Sequence, residues 1–288
     1  MSLKCIFCKQ ESSNAKSVEH IIPETLGNKT FVLPLGMVCD QCNNYFSRKI
    51  EQPFFELEPI KRLRFYQGIP NKRGKIPPIE ATMNGNKINI TRMFANSSFP
   101  ATTEVLSIDG NIEEGNMLLE PYNDGELLKT SRIISRFIAK IAFESFAGKI
   151  TNDLEWLDYI INNNQLDNMR NYVRFNNGQT WAYKVRRIYA VDSMHYFSSD
   201  EPYQIIHESD FLMIKEDSHS NKKANDSIDA HVYFVVAMWG LEFVINLTDS
   251  SEHGFCRYDE WLNAHNNKSF LHYGKNDTSI LCGGTEHE

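Results

Sequence analysis

The chain has no apolar run approaching the roughly 18 residues that a membrane-spanning helix requires. Its longest candidate, VYFVVAMWGLEFVINL at 232–247, is interrupted by Gly240-Leu241-Glu242 and reads as two strands, so no membrane partner is expected. The opening residues MSLK lack a charged-then-apolar leader, which makes a reducing, cytoplasmic setting the expectation. Internal repeats and low-complexity tracts are missing, and so are a glycine-rich phosphate loop and a Ser-His-Asp order. Those absences argue against solenoids, nucleotide-cradling loops and triad hydrolases. Cysteine is scarce too, with 6 in 288 residues, but four of the six fall within the first 42. Cys256 and Cys282 belong to no recognisable motif, and the histidines from His195 onward stand at no ligand spacing.

Those four cysteines form two Cys-x-x-Cys pairs, Cys5/Cys8 and Cys39/Cys42, with 30 residues between them. Each turn can direct two thiolates to one point, and four thiolates complete the tetrahedral preference of Zn²⁺ with no position left for water. A structural zinc site is the expectation, and a pair of disulfides fits a reducing compartment poorly. Between the pairs runs Val18-Glu19-His20-Ile21-Ile22-Pro23, whose β-branched residues favour an extended segment ending at Pro23. Glu19 and His20 then point to opposite faces, although a bent or terminal strand beside a metal can bring both to one phosphate. The plainer alternative is that Glu19 orients His20 or is solvated. After Cys42, Tyr45, Phe46, Lys49 and Ile50 stand at offsets that suit a short helix running to Pro53. Asn43 opens that helix, either as its N-cap or as an oxygen ligand to a divalent ion.

Taken in order, CIFC, EHIIPETLGN and CDQCNNYFSRK resemble the zinc-bound form of the HNH endonuclease family, also called the ββα-metal or His-Me finger nucleases. The resemblance covers about the first 50 residues, and its subtype has Glu before the histidine and Asn after the last cysteine. It implies that His20 is the general base that activates water, that Glu19 and Asn43 help bind a catalytic Mg²⁺ or Mn²⁺, and that the four cysteines bind structural zinc. The family's middle residue is usually an asparagine about nine positions before the last motif residue; here that position holds Pro34. Asn28 is the nearest asparagine, in a Leu-Gly-Asn turn where a plain turn role serves as well, and it stays outside the expected catalytic set. The implied activity is hydrolysis of DNA phosphodiester bonds, with RNA open to the same chemistry. A zinc-ribbon module that binds nucleic acid without cutting is the alternative, and it leaves the conjunction of Glu19-His20 with Asn43 unexplained. Nucleases resembling this one often serve in bacterial defence under the control of a second domain. A second copy of the chain or an activating ligand is accordingly expected at the C-terminal part.

Charge is unevenly spread. Residues 1–75 hold 12 lysines and arginines against 7 acids, a net of +5, whereas the remainder holds 18 against 30, a net of −12. Arg48, Lys49, Arg62 and Arg64 follow the expected active site and are candidate contacts to a polyanionic backbone. The expected fold class is α+β: a small zinc-bound ββα-metal finger over 1–52, a basic connector over 53–78, and a larger mixed domain with antiparallel strands over 79–288. Phe54 to Tyr66 suit a helical core stripe with Lys61, Arg62 and Arg64 facing elsewhere. Asn84-Gly85 marks a hairpin between 79–83 and 87–94, and Asp109-Gly110 a second. Apolar spacing places a helix over 129–148 capped by Gly148, a second over 153–162 and a closing one over 257–266. Strands are expected over 181–191, 204–215, 231–238 and 241–247. Lys140, inside the first of those helices, is a faint further likeness to the HNH subtype.

One metal per chain is therefore expected on elemental assay, and stripping it with a strong chelator should loosen the first 50 or so residues to proteolysis. Chelation that leaves the proteolytic pattern unchanged would contradict a folding role for the metal.

Overall fold

The computed structural model describes residues 3–26, 28, 30–66, 68–71, 73–94, 104–109, 117–118, 125, 127, 129, 131–149, 154–188, 207–215 and 230–273. It is a mixture of helices and antiparallel strands, as the sequence predicts. Near the N-terminus, single bridges Lys4↔Glu11 and His20↔Val32 stand where a ββα finger would carry its hairpins. Helix α1 (Asp40–Phe46) follows, then a π-helical turn Ser47–Glu51, then α2 (Gln52–Phe55) and α3 (Glu58–Tyr66). The helix does not stop at Pro53, contrary to expectation. Proline tolerates the first turn of α2, and the wider turn moves the Gln52 N–H onto the Ser47 carbonyl. Nη1 of Arg136, from α4 (Arg132–Lys149), donates at 3.5 Å to the Lys49 carbonyl, which Pro53 cannot serve.

Four antiparallel strands form the first sheet: β1 (Ile79–Met83), β2 (Asn86–Phe94), β3 (Glu104–Asp109) and β4 (Met117–Leu118), in the order β3-β2-β1-β4. Asn84 and Gly85, with φ of 50° and 79°, make the expected tight turn between β1 and β2. The hairpin expected at Asp109-Gly110 does not join β3 to β4, because those strands occupy opposite edges; Gly110 itself lies outside the described residues.

Helices α5 (Leu154–Asn162) and α6 (Asp167–Phe175) lead to the second sheet. It comprises β5 (Tyr183–Arg187), β6 (His207–Lys215), β7 (Ala230–Met238) and β8 (Leu241–Asn246), in the order β5-β8-β7-β6. The long apolar run is the β7–β8 hairpin, turned at Trp239-Gly240. One face meets α4 through Phe211, Phe234 and Phe243; the other meets α7 (Cys256–Ala264) and α8 (Phe270–Tyr273) through Tyr233, Val235 and Val244. Burial on both faces explains why this hairpin reads as continuously hydrophobic.

Among the described residues, packing runs across position 52. One core contains Phe7, Phe46, Phe54, Phe137, Phe143 and Phe243, and the stretch expected as a basic connector contributes Ile60 and Leu63 to it. Phe54 stacks on Phe137 at 3.7 Å and lies 6.1 Å from the ring of Trp239, joining α2, α4 and the β7–β8 turn. Trp239 accepts a left-handed φ of 55° while remaining 4% exposed, an uncommon conformation for a bulky residue. Phe137→Ala should cost about 3 to 5 kcal/mol. A denaturation midpoint within error of wild type would show that this stack is not what joins the two parts.

Candidate active site and zinc centre

The first Cys-x-x-Cys closes as a tight turn, with Lys9 in the left-handed region (φ 59°) and its N–H bonded to the Cys5 carbonyl. In the second, Cys39 occupies the N-cap position of α1 and Cys42 its first turn, so the helix start itself aims both thiols. All four Sγ atoms lie within 4.8 Å of one another, Cys8 and Cys39 at 3.6 Å, and none of the four is in a disulfide. Four thiolates around zinc would stand about 3.8 Å apart, so the residues fit the ion. Hydrogen bonds from Cys42 and Cys5 lower the Cys8 thiol to about 4, while the neighbouring cysteines push Cys42 upward. Such crowding is relieved when a cation takes all four as thiolates.

Helix α6 grips this centre from outside. Arg170 donates from Nε to the Ile6 carbonyl at 2.8 Å, Asp167 pairs with Lys9 at 2.7 Å, and Nε of Arg174 lies 3.1 Å from Cys42 Sγ. Arg174 also lies over Tyr45 at 4.2 Å. One nine-residue helix thus reaches both knuckles, and Arg174 would meet the negative charge of a four-thiolate metal cluster. No expectation covered α6, although Met169, Tyr172 and Val173 repeat at three and four.

From Val18 to Ile21 the segment between the knuckles alternates as a strand should, and Ile22 after it is buried as well. Glu19 (4% exposed), Ile21 and Leu33 point into the core, Val18 and Val32 are exposed, and His20 is half-buried in its bridge with Val32. Ile21 N–H bonds to Phe31 O and Leu33 N–H to Glu19 O. Asp40 secures the segment's start by accepting from the Lys16 and Ser17 amides and the Ser17 hydroxyl, which hold its carboxyl below the usual range. Asn28, set aside above, is 3% exposed and organises the return: its amide donates to Ile22 O and Phe31 O and accepts from Thr30 N and Phe31 N. Position relative to Asn43 concealed it; the signal was the Leu-Gly-Asn turn. Asn43 is not the N-cap. It lies one turn into α1 and donates from Nδ2 to Val18 O at 3.1 Å, so Oδ1 is the amide atom left to meet a cation.

Glu19 itself meets Lys140 of α4. The Lys140 ammonium, fully buried, stands 2.7 Å from Glu19, 3.0 Å from Glu51 and 3.0 Å from Glu144, and donates to the His20 carbonyl at 3.4 Å. Burial lowers the lysine, but the three carboxylates outweigh it and hold it well above its usual range. Burial pushes Glu19 and Glu144 upward against the pull of Lys140. One ammonium cannot neutralise two buried carboxylates and the half-buried Glu51, and Glu144 Oε1 has no hydrogen-bond partner among the described residues, so a carboxyl proton is the least costly balance. Nearby, Gly148 is not the cap expected of it; it lies within α4, where a Cβ would approach Ile21 Cδ1 at 3.1 Å.

The four candidate nucleic-acid contacts divide. Arg48 and Lys49 are exposed, and Arg48 lines an open groove of about 510 Å³ with Lys16, Ser17, Asp40, Asn43, Asn44 and Ser47. Arg62 and Arg64 are corrected: they are 8% and 4% exposed. Arg62 pairs with Glu58 at 3.1 Å, while Arg64 lies 5.4 Å from the Phe55 ring and burial pushes it down to about 10. Both belong to the packing of α3, whose basic residues have long stems that bury well.

A four-cysteine cluster that could hold a metal ion brackets a short strand with a histidine on one face and a lysine-bound glutamate on the other. Residues 5–56 match the family model of the HNH endonucleases, which supports a nuclease-type activity for this segment. Neither the curated proteins nor the solved structures compared with the chain gave a match.

Lys140→Met should cost about 3 to 5 kcal/mol at neutral pH by leaving buried carboxylates unpaired. Because burial raises Glu19 and Glu144, their favourable contribution is fullest below the unfolded glutamate pKa and is lost as pH rises through the folded one. The variant's deficit against wild type should therefore shrink between about pH 7 and about pH 5. A deficit independent of pH over that window would contradict the charge balance described.

Proposed function

We propose that the chain is a metal-dependent endonuclease that hydrolyses DNA phosphodiester bonds, with His20 as general base. The observation that carries the reading is the meeting of three groups: His20 outward and Glu19 behind it on one short strand, and Asn43 of α1 bonded to the carbonyl of Val18 two residues away. His20 takes a proton from water as the water oxygen bonds to phosphorus and the 3′ oxygen departs to be protonated by solvent. Asn43 Oδ1 and Glu19 supply hard oxygen donors suited to Mg²⁺ or Mn²⁺. Such an ion, when bound, stabilises charge on the phosphate and the departing oxygen. Lys140 keeps Glu51 and Glu144 as partners, so Glu19 can turn from it without leaving the ammonium unpaired. Arg48 and Lys49 hold the backbone in the groove beside α1.

A second reading, a zinc-bound module that binds nucleic acid without cutting it, is favoured by the commitment of Glu19 to Lys140. A part in bacterial defence, with control through the C-terminal part, follows from the resemblance alone, and a cytoplasmic setting from the reading of the opening residues. Incubating zinc-loaded protein with plasmid and Mg²⁺ or Mn²⁺ should yield nicked or linear product, abolished by EDTA and reduced at least about 100-fold in His20→Ala with binding kept. Zinc-loaded, folded protein that binds plasmid but never cuts it would favour the second reading.

A further inference from the structure

Helix α6 is engaged on two sides. Arg170 and Arg174 reach the Ile6 carbonyl and Cys42 Sγ, while Asn168, Asn171 and Tyr172, turned away from them around the helix, line a cleft of about 400 Å³. Its other walls are the turn over 177–179, Trp181, and the loop after β8 with Thr248, Asp249 and Ser250. Both loops are held from within the fold. Arg132 of α4 donates to Asn176 Oδ1 at 2.6 Å, to Asn176 O at 2.7 Å and to Gly178 O at 3.1 Å, fixing a turn in which Asn176 and Gly178 take left-handed φ of 60° and 82°. Oδ1 of the fully buried Asn246 accepts from the Thr248 N–H at 2.9 Å and from its hydroxyl at 2.7 Å. The Trp181 indole N–H bonds to Asn246 O and the Ala182 N–H to Ser250 O, which ties one loop to the other. A concave site formed in advance gives up less freedom when a ligand enters.

The lining is chemically narrow. The side-chain amides of Asn168, Asn171, Asn177 and Gln179 are exposed around the cleft, together with the hydroxyls of Thr248 and Ser250. Among the described residues that line it none is a lysine or arginine, so a phosphate or carboxylate ligand would face Asp249 with no compensating cation. Tyr172 and Trp181 are 1% and 6% exposed and leave no open ring face on which a nucleobase could stack. A hydroxyl group both donates and accepts, and therefore suits amides, hydroxyls and a carboxylate at once. We propose that this cleft binds a sugar, an uncharged polyhydroxyl ring, and that its occupancy steadies α6 against the four-cysteine cluster. Neither step depends on the nuclease reading.

Full-length protein is titrated calorimetrically with glucose, galactose, mannose and N-acetylglucosamine, beside adenosine and inorganic phosphate. Methyl glycosides of the same sugars separate a linked sugar, which they mimic, from a free one. At least one sugar should bind with a Kd of about 1 mM or below, and Asn171→Ala/Gln179→Ala should weaken it about 10-fold or more. Both substitutions change exposed side chains, and circular dichroism of the double variant should match wild type. With that sugar bound, hydrogen exchange should slow about 5-fold or more along α6 and at the Asn43 amide, which bonds to Cys39 O, relative to glycerol at the same concentration. No binding by any sugar up to roughly 100 mM overturns the proposal, as does binding that the double variant keeps or that only adenosine or phosphate shows. Sugar bound with exchange at Asn43 unchanged overturns the link to the cluster.

Discussion

A single ammonium, that of Lys140, sits fully buried among the carboxylates of Glu19, Glu51 and Glu144. Each charge would be costly to bury alone, and removing the lysine would leave Glu19 and Glu144 without it in an apolar core. Its partners come from the strand that carries His20, from the turn after α1, and from α4 itself. Satisfying it therefore brings three distant stretches of chain to one point. Around it, Phe143 meets Phe7 at 5.1 Å and Gly148 admits Ile21, so the whole inner side of the strand lies on α4. His20 inherits its position from that arrangement, through its carbonyl and through the inward pull on its neighbour.

The four-cysteine centre supplies the complementary constraint from the other end. Four thiols fix the entry and exit of the segment, and α6 answers them with Arg170 and Arg174. Between metal and lysine only a short strand and its return loop remain to be ordered, and Asn28 and Asp40 hold these through backbone amides. Part of the module's support thus comes from residues more than a hundred positions away. That dependence gives the C-terminal part a direct mechanical connection to the candidate active site: displacement of α4 or α6 would be felt at Glu19 or at Cys42.

Signals confined to a few residues were legible in the sequence. Cysteine spacing placed the metal site, Glu19-His20 and Asn43 identified the candidate chemistry, and Asn84-Gly85 placed a turn. What depends on distant partners was not. Arg62 and Arg64 look like phosphate contacts beside other cations, yet the burial of α3 turns their stems inward. Gly148 looks like a cap because glycine is common there, but its missing Cβ leaves room for the side chains of Ile21 and Leu33. Lys140 appears as one charge in an apolar helix, and three separate stretches of chain are needed to supply its acids. The opposed facing of Glu19 and His20 followed from strand alternation, whereas the partner holding Glu19 could not.

The coupling of α4 to the strand is tested most directly by hydrogen exchange on zinc-loaded wild type and Lys140→Met, followed at the amides of Ile21 and Leu33. These amides are bonded across the return loop to Phe31 O and Glu19 O and depend on the strand staying in place. If Lys140 holds the strand, their protection should fall by about 100-fold or more in the variant while the amides of the cysteine knuckles and the zinc content stay as in wild type. Unchanged protection at both amides would contradict it, and would leave the zinc centre as the sole support of the candidate active site.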